Sequence, residues 1–332
     1  LDREYPWLAE AMARARQLPP RFGEWRFWWE IPPEPDVDPL RIVDGATDPE
    51  FARTRASFYS HAIPLAESPP LRVRLVRHPA GDALMLSVNH AAADGIGSLR
   101  ILASIVRSYA GADDPIPDVD PLATRTHRAS LSARMLPDRI RGVAEFLLEI
   151  GRGKTRLASN DGMAADGYGF HHVRLPIELP VAGGDRRARG ATVNDVLVAA
   201  LHVTIADWNA AHGRPSGRIG VMVPVNLRPR ERRHEIVGNF SSFVSTVTVP
   251  DDRRDAAATL AAVTMQTRRI REHHPETALI DLLTAPVSPP AWVRQVSVGW
   301  VRSAFERGID TAVLSNLGRL DRTAQADRLR TA

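Results

Sequence analysis

A short apolar run, a polar break and an amphipathic stretch follow one another through residues 83–110, and this succession constrains the fold more than any other feature. Ala83-Leu84-Met85-Leu86-Ser87-Val88 is apolar enough for a buried strand. From Gly97 to Ala110 the spacing puts Leu99, Leu102, Val106 and Tyr109 on one helical stripe. Just upstream, Leu71-Arg72-Val73-Arg74-Leu75-Val76 alternates apolar with charged residues as a half-buried strand does, and His78-Pro79-Ala80-Gly81-Asp82 supplies the turn. The chain therefore builds a hairpin that delivers Asn89-His90-Ala91-Ala92-Ala93-Asp94-Gly95 to one end of a sheet, on the loop that enters a helix. Of the four Asp-Gly pairs, at 44, 94, 161 and 166, only Asp94-Gly95 has a histidine four residues before the aspartate.

Beyond this unit, strands and helices keep interleaving, which predicts an α/β or α+β class with mixed sheets. Residues 51–62 are weakly helical, and residues 112–135 read as a surface loop. An amphipathic helix is expected over 138–150, with Ile140, Val143, Leu147 and Ile150 aligned. The glycine-dense stretch 156–190, interrupted by a strand-like Phe170 to Leu175, reads as a crossing between two domains, 1–155 and 191–332. Thr192 and Asp195 have the spacing of a capping box, opening a helix whose apolar stripe is Val193, Val196, Leu197, Ala200, Leu201, Ile205 and Trp208, closed by His212-Gly213. Strands follow at 219–225 and 240–249, a helix at 254–273, a proline-broken amphipathic region through Phe305, and a last strand at 312–314.

Composition removes several function classes. With 332 residues and 44% hydrophobic content the chain can bury a large core, and 25% charged residues is ordinary for a globular protein. The net charge of +4 is small, and apart from Lys154 the basic residues are arginines with no zinc-finger, RNP or basic-zipper pattern, so nucleic-acid binding is not expected. The absence of cysteine excludes disulfides, thiolate nucleophiles and cysteine metal sites. His171-His172 has no Asp-Gly behind it, His234-Glu235 lacks the second histidine of a zinc-binding HExxH, and His273-His274 stands at a helix end, so no metal is expected. No Walker A, GxGxxG or Gly-x-Ser-x-Gly pattern occurs either. Leu1 to Trp7 shows no signal-peptide core and no run is long enough to span a bilayer, which points to a cytoplasmic monomer.

The histidine, three-residue gap and Asp-Gly at His90 to Gly95 resemble the HHxxxDG motif of the chloramphenicol-acetyltransferase-like superfamily, with Asn89 in place of the first histidine. Three later segments, in the family's order, resemble its condensation-like and wax-ester-synthase-like branches. They are Ala191-Thr192-Val193-Asn194-Asp195-Val196, then Pro224-Val225-Asn226-Leu227-Arg228-Pro229 with Val237-Gly238-Asn239-Phe240, and Ser315-Asn316-Leu317-Gly318. The likeness runs from about Tyr5 onward. Family members begin with a further strand and helix and continue past the SN turn, and a DFGWG signature of some branches is not present, so family segments are expected beyond both ends.

The resemblance implies two similar lobes, mixed sheets flanked by helices, and a channel between them. It implies an acyltransferase in which His90 is the general base, taking a proton from an acceptor hydroxyl or amine as that group attacks a thioester. The thioester is already activated, so no bound cofactor is expected: the donor is acyl-CoA or an acyl-phosphopantetheine carrier, and the acceptor a small molecule or lipid. Asp94 is expected to brace the loop through an arginine, with Arg228 the candidate, and Gly95 to allow close backbone approach. Asn89, Asn194, Asp195, Asn226, Arg228 and Asn239 are candidates for the channel wall, and Ser315 or Asn316 for an oxyanion donor. Local helix capping would explain Asn194 and Asp195 equally well, and a plain turn Ser315 and Asn316. The lost first histidine leaves a second reading open, a noncatalytic condensation-like module that docks a carrier protein or synthetase partner. Weak membrane-surface association through 138–150 and 291–305 is a third, set against interdomain packing of the same stripes.

Overall fold

The computed structural model describes residues 14–21, 24–45, 47–114, 148, 152–159, 169–171, 173, 190–228, 237–273 and 310–318. An antiparallel hairpin, β1 (Arg14–Arg21) and β2 (Glu24–Glu30), precedes a sheet in the order β3 (Leu40–Asp44), β4 (Leu71–Arg77), β5 (Ala83–Val88). In that sheet β3 runs parallel to β4 and β5 antiparallel to it. Helix α1 (Asp48–Ser60) supplies the crossover from β3 to β4, and α2 (Gly95–Tyr109) follows β5. The second half contributes α3 (Val193–Ala211), β6 (Ile219–Asn226), β7 (Ser241–Thr248), α4 (Ala256–His273) and β8 (Ala312–Val313). Its sheet has the order β7-β6-β8, antiparallel on one side of β6 and parallel on the other. Both three-stranded sheets are mixed, as the interleaved pattern predicts.

Strand β4 shows why the alternating segment folds as it does. Leu71 and Val73 point to one face, where they pack with Ala93, Ile101 and Val237. Val76 points to the other and packs with Phe58 of α1 and Met85 of β5. The second core gathers Val198, Ala199 and Ile205 of α3, Ile219, Val221 and Val223 of β6, and Val263 of α4. Thr155 bonds Arg218 and Thr311, and Lys154 bonds Asp310 at 2.9 Å, so residues 154–155 are tied to β6 and β8.

Three expectations need correction. The face of α2 that is buried consists of Gly97, Arg100, Ile101 and Ser104, whereas Tyr109 is 74% exposed. The face of α3 that is buried is Asp195, Val198, Ala199, His202, Ile205 and Asn209, whereas Val193 and Trp208 are exposed. Apolar periodicity misplaced both faces because buried polar side chains with complete hydrogen bonding occupy core positions. Finally, Phe170, His171 and Val173, the described part of the strand-like stretch, are not in a strand. The expected helix over 138–150 (apart from Leu148) and the region 274–305 lie outside the described residues. In the other direction, β1, β2 and β3 were not marked by the sequence pattern.

Candidate functional site

The loop from Asn89 to Asp94 is built as a chain of turns. The Asn89 side chain accepts from the Ala91 amide at 3.0 Å and donates to the Ile63 carbonyl at 2.7 Å. Its own carbonyl accepts from the amides of Ala92 and Ala93. Both ends of this side chain are therefore spent on closing the turn and tying it to the segment before β4. That is an Asx-type role, for which asparagine is well suited.

Asp94 ends the loop as the N-cap of α2. Its Oδ1 accepts from the Gly97 amide at 2.9 Å and from Arg228 Nη2 at 2.9 Å. Its Oδ2 accepts from Arg228 Nη1 at 2.7 Å and from the Phe240 amide at 2.8 Å. Four donors thus fill the carboxylate, and the bidentate fork is the strong form of the arginine pair. Both partners are buried, Asp94 at 3% exposure and Arg228 at 5%. Arg228 also donates to the Gly238 carbonyl and to Asn226 Oδ1, and lies 5.0 Å from the Phe240 ring centroid. A buried pair so fully bonded is the geometry in which attraction repays desolvation.

The same seam carries further links between the halves. The Asp94 amide donates to the Gly238 carbonyl, and Asn239 Nδ2 donates to the His90 carbonyl at 2.9 Å. Asn239 is itself held by Ser241. Val237 enters the apolar core formed by Leu71, Val73 and Ile101. Gly97 is required here, since a Cβ would stand 2.9 Å from the Gly238 oxygen. At Gly95 a Cβ would meet only the end of the Leu317 side chain, at 3.2 Å. The result is a clasp that fixes His90 through its backbone from both halves, while its imidazole is exposed and bonded to none of the described residues.

Asn194, Asp195, Asn226 and Arg228 meet at a second feature, a cavity of about 380 Å³ between the start of α3, the end of β6 and the end of α4. Asp195 caps the Thr192 amide at 2.7 Å and accepts from Thr267 Oγ1 at 2.7 Å. Asn194 lies 3.5 Å from Asn316, which also closes its own turn onto the Gly318 amide. Ser315 is exposed on the strand β8 side of that turn. His90 does not line this cavity; Arg228 reaches both the cavity and the clasp.

His202 was not singled out by the sequence. Wholly buried, it touches Thr246 Oγ1 through Nε2 at 3.1 Å and Thr248 Oγ1 through Nδ1 at 2.9 Å. Burial, reinforced by the charge of Arg253 and partly offset by Asp252, pushes its pKa down to about 4. It is a neutral core residue. Among the described residues no group of His, Asp and Glu is placed to hold a metal, and no helix is long and apolar enough to cross a membrane.

No family model matches the chain. Among solved structures, the first condensation domain of the calcium-dependent antibiotic synthetase, in complex with a substrate analogue, aligns with a TM-score of 0.59 at 20% identity. That alignment covers 81% of this chain and 65% of the condensation domain, so the chain spans less than two thirds of that structure. Tallysomycin biosynthesis protein TlmII aligns with a TM-score of 0.56 at 15% identity, over 99% of this chain and 70% of that one. A condensation domain of the enacyloxin polyketide synthase, described as mediating chain release, gives 0.53 at 16% identity over 96% and 61%. The fold is thus a mixed α/β, condensation-domain-like fold. In sequence, the chain is 33% identical over 317 residues to the uncharacterised protein Rv2305 of Mycobacterium tuberculosis strain H37Rv, covering 94% of this chain and 72% of the relative. It belongs to that protein's family, and MT2362 of strain CDC 1551 matches equally.

Proposed function

We propose that this chain is an acyltransferase that moves an acyl group from a thioester, on CoA or a carrier-borne phosphopantetheine, to an alcohol or amine. The observation that carries the reading is the clasp: four donors hold the Asp94 carboxylate and fix the loop, while the His90 imidazole on it is exposed and bonded to none of the described residues. In this reading His90 accepts the acceptor's O–H or N–H proton as the oxygen or nitrogen attacks the thioester carbon. The tetrahedral oxyanion then collapses, the C–S bond breaks, and the leaving thiolate takes the proton back from the imidazolium. Ser315 and Asn316 are the candidate oxyanion donors, and the cavity beside Asn194, Asn226 and Arg228, lined by the second half alone, is the candidate acyl or acceptor chamber. Asp94 and Arg228 act through the loop and touch no reacting atom.

The test is release of free thiol from a series of acyl-CoA and acyl-pantetheine donors with alcohols and amines present. The wild-type chain is expected to release thiol and His90→Ala to release none above background. No release from any donor would sink the reading. A docking module without chemistry, motivated by Asn89 in place of a histidine, would instead bind a carrier protein equally well with and without His90.

A further inference from the structure

On the face of the first sheet that carries α1, opposite to the face packed against α2, lies a second cavity of about 370 Å³. Its lining is Arg41 and Val43 of β3, Arg53, Thr54 and Ser57 of α1, and Arg74 of β4. The lining thus holds three arginines, a threonine and a serine, and no acidic residue. Among the described residues none of the three arginines forms an ion pair, although most other arginines of this half do, including Arg14, Arg72, Arg77 and Arg100.

By itself the arrangement is electrostatically unfavourable. Arg41 and Arg74 are register partners on neighbouring strands, and like charges directly opposite in a sheet repel. Arg74 lies over the Phe58 ring at 4.9 Å, and its Nε is buried without a hydrogen-bond partner. Arg53 and Ser57 stand one turn apart on α1 and face the same space. Planar forks with adjacent hydroxyls, and no competing acid, match the oxygens of a phosphate group, which arginine binds in bidentate fashion.

We propose that this cavity is a binding site for a phosphate-bearing ligand, a phosphate monoester or pyrophosphate, held by Arg41, Arg53 and Arg74. The site is separate from the proposed acyl transfer, and its test does not use that reaction. Inorganic pyrophosphate is titrated calorimetrically into the full chain at low salt, beside the double variant R41Q/R53Q and a control double variant of exposed α4 arginines, R268Q/R269Q. Arg41 and Arg53 are exposed, so unfolding curves of the double variant should match wild type. Binding is expected to weaken by about tenfold or more in R41Q/R53Q, as loss of two charge-assisted contacts implies, and to stay unchanged in the control. A parallel arm measures sedimentation with phosphatidylcholine vesicles with and without phosphatidate. Capture only by phosphatidate vesicles, lost in R41Q/R53Q, assigns the phosphate to a lipid headgroup; binding of pyrophosphate assigns it to a soluble ester. Equal loss in the control variant, no loss in R41Q/R53Q, or no binding in either arm overturns the proposal.

Discussion

Two buried polar constellations organise this molecule, and they are built on opposite principles. At the clasp, Asp94 and Arg228 are charged, come from different halves of the chain, and bring a surface loop under control. In the second core, His202, Thr246 and Thr248 are neutral, come from one half, and fill space between α3 and β7. The first holds position through charge that must stay paired; the second holds through a histidine that must stay uncharged. Breaking each should therefore give different signatures.

The largest effect is expected at the clasp. Arg228→Ala leaves the buried Asp94 carboxylate without its fork, which for a buried pair costs about 3–5 kcal/mol. Urea unfolding at neutral pH would measure it; a loss below about 1 kcal/mol, the range of exposed pairs, would show that the clasp is not a structural centre.

Next comes acid. His202 has its folded pKa lowered to about 4 from 6.5, so the unfolded chain binds a proton first as pH falls. The stabilising contribution is complete above pH 6.5 and is lost progressively as pH drops towards 4. From the linkage relation, the loss by pH 5 is about 2 kcal/mol. The measurement is unfolding free energy at pH 7.5 and 5 for wild type and His202→Gln. The variant should lack this part of the slope, and an identical slope would remove His202 from the account.

Smaller effects separate support from architecture. Asn239→Ala removes one hydrogen bond to the His90 backbone and should cost about 1 kcal/mol of stability. If Asn239 positions His90, kcat for thiol release should fall while KM stays, and Asn239→Asp should not restore it because the donor is lost. Thr192→Ala removes the cap of α3 and should cost about 1 kcal/mol, read from urea unfolding.

The sequence made the clasp legible and hid the second constellation, for physical reasons. Asp94, Gly95, Asn226, Arg228 and Asn239 sit at turns and strand ends, where local chemistry leaves marks in short motifs. Strands β4 to β7 were likewise visible as alternating or apolar runs between turn residues. The buried face of α3 was not, because His202 and Asn209 carry no local mark of burial until their partners Thr246 and the carbonyl of Arg156 are known. The arginine cavity was hidden in the same way: Arg41, Arg53 and Arg74 are far apart in the chain and meet only when β3, α1 and β4 assemble. Strand β3 was missed because its exposed Leu40, Arg41 and Ile42 give no amphipathic pattern.

In the proposed function the clasp presents His90 as a base. The measurement that tests this role is thiol release by His90→Ala beside wild type, at matched unfolding midpoints. The exposed imidazole supports no fold contact among the described residues, so stability should be unchanged while the rate falls by about a hundredfold or more, the contribution typical of a general base. Turnover by His90→Ala at the wild-type rate would contradict the claim.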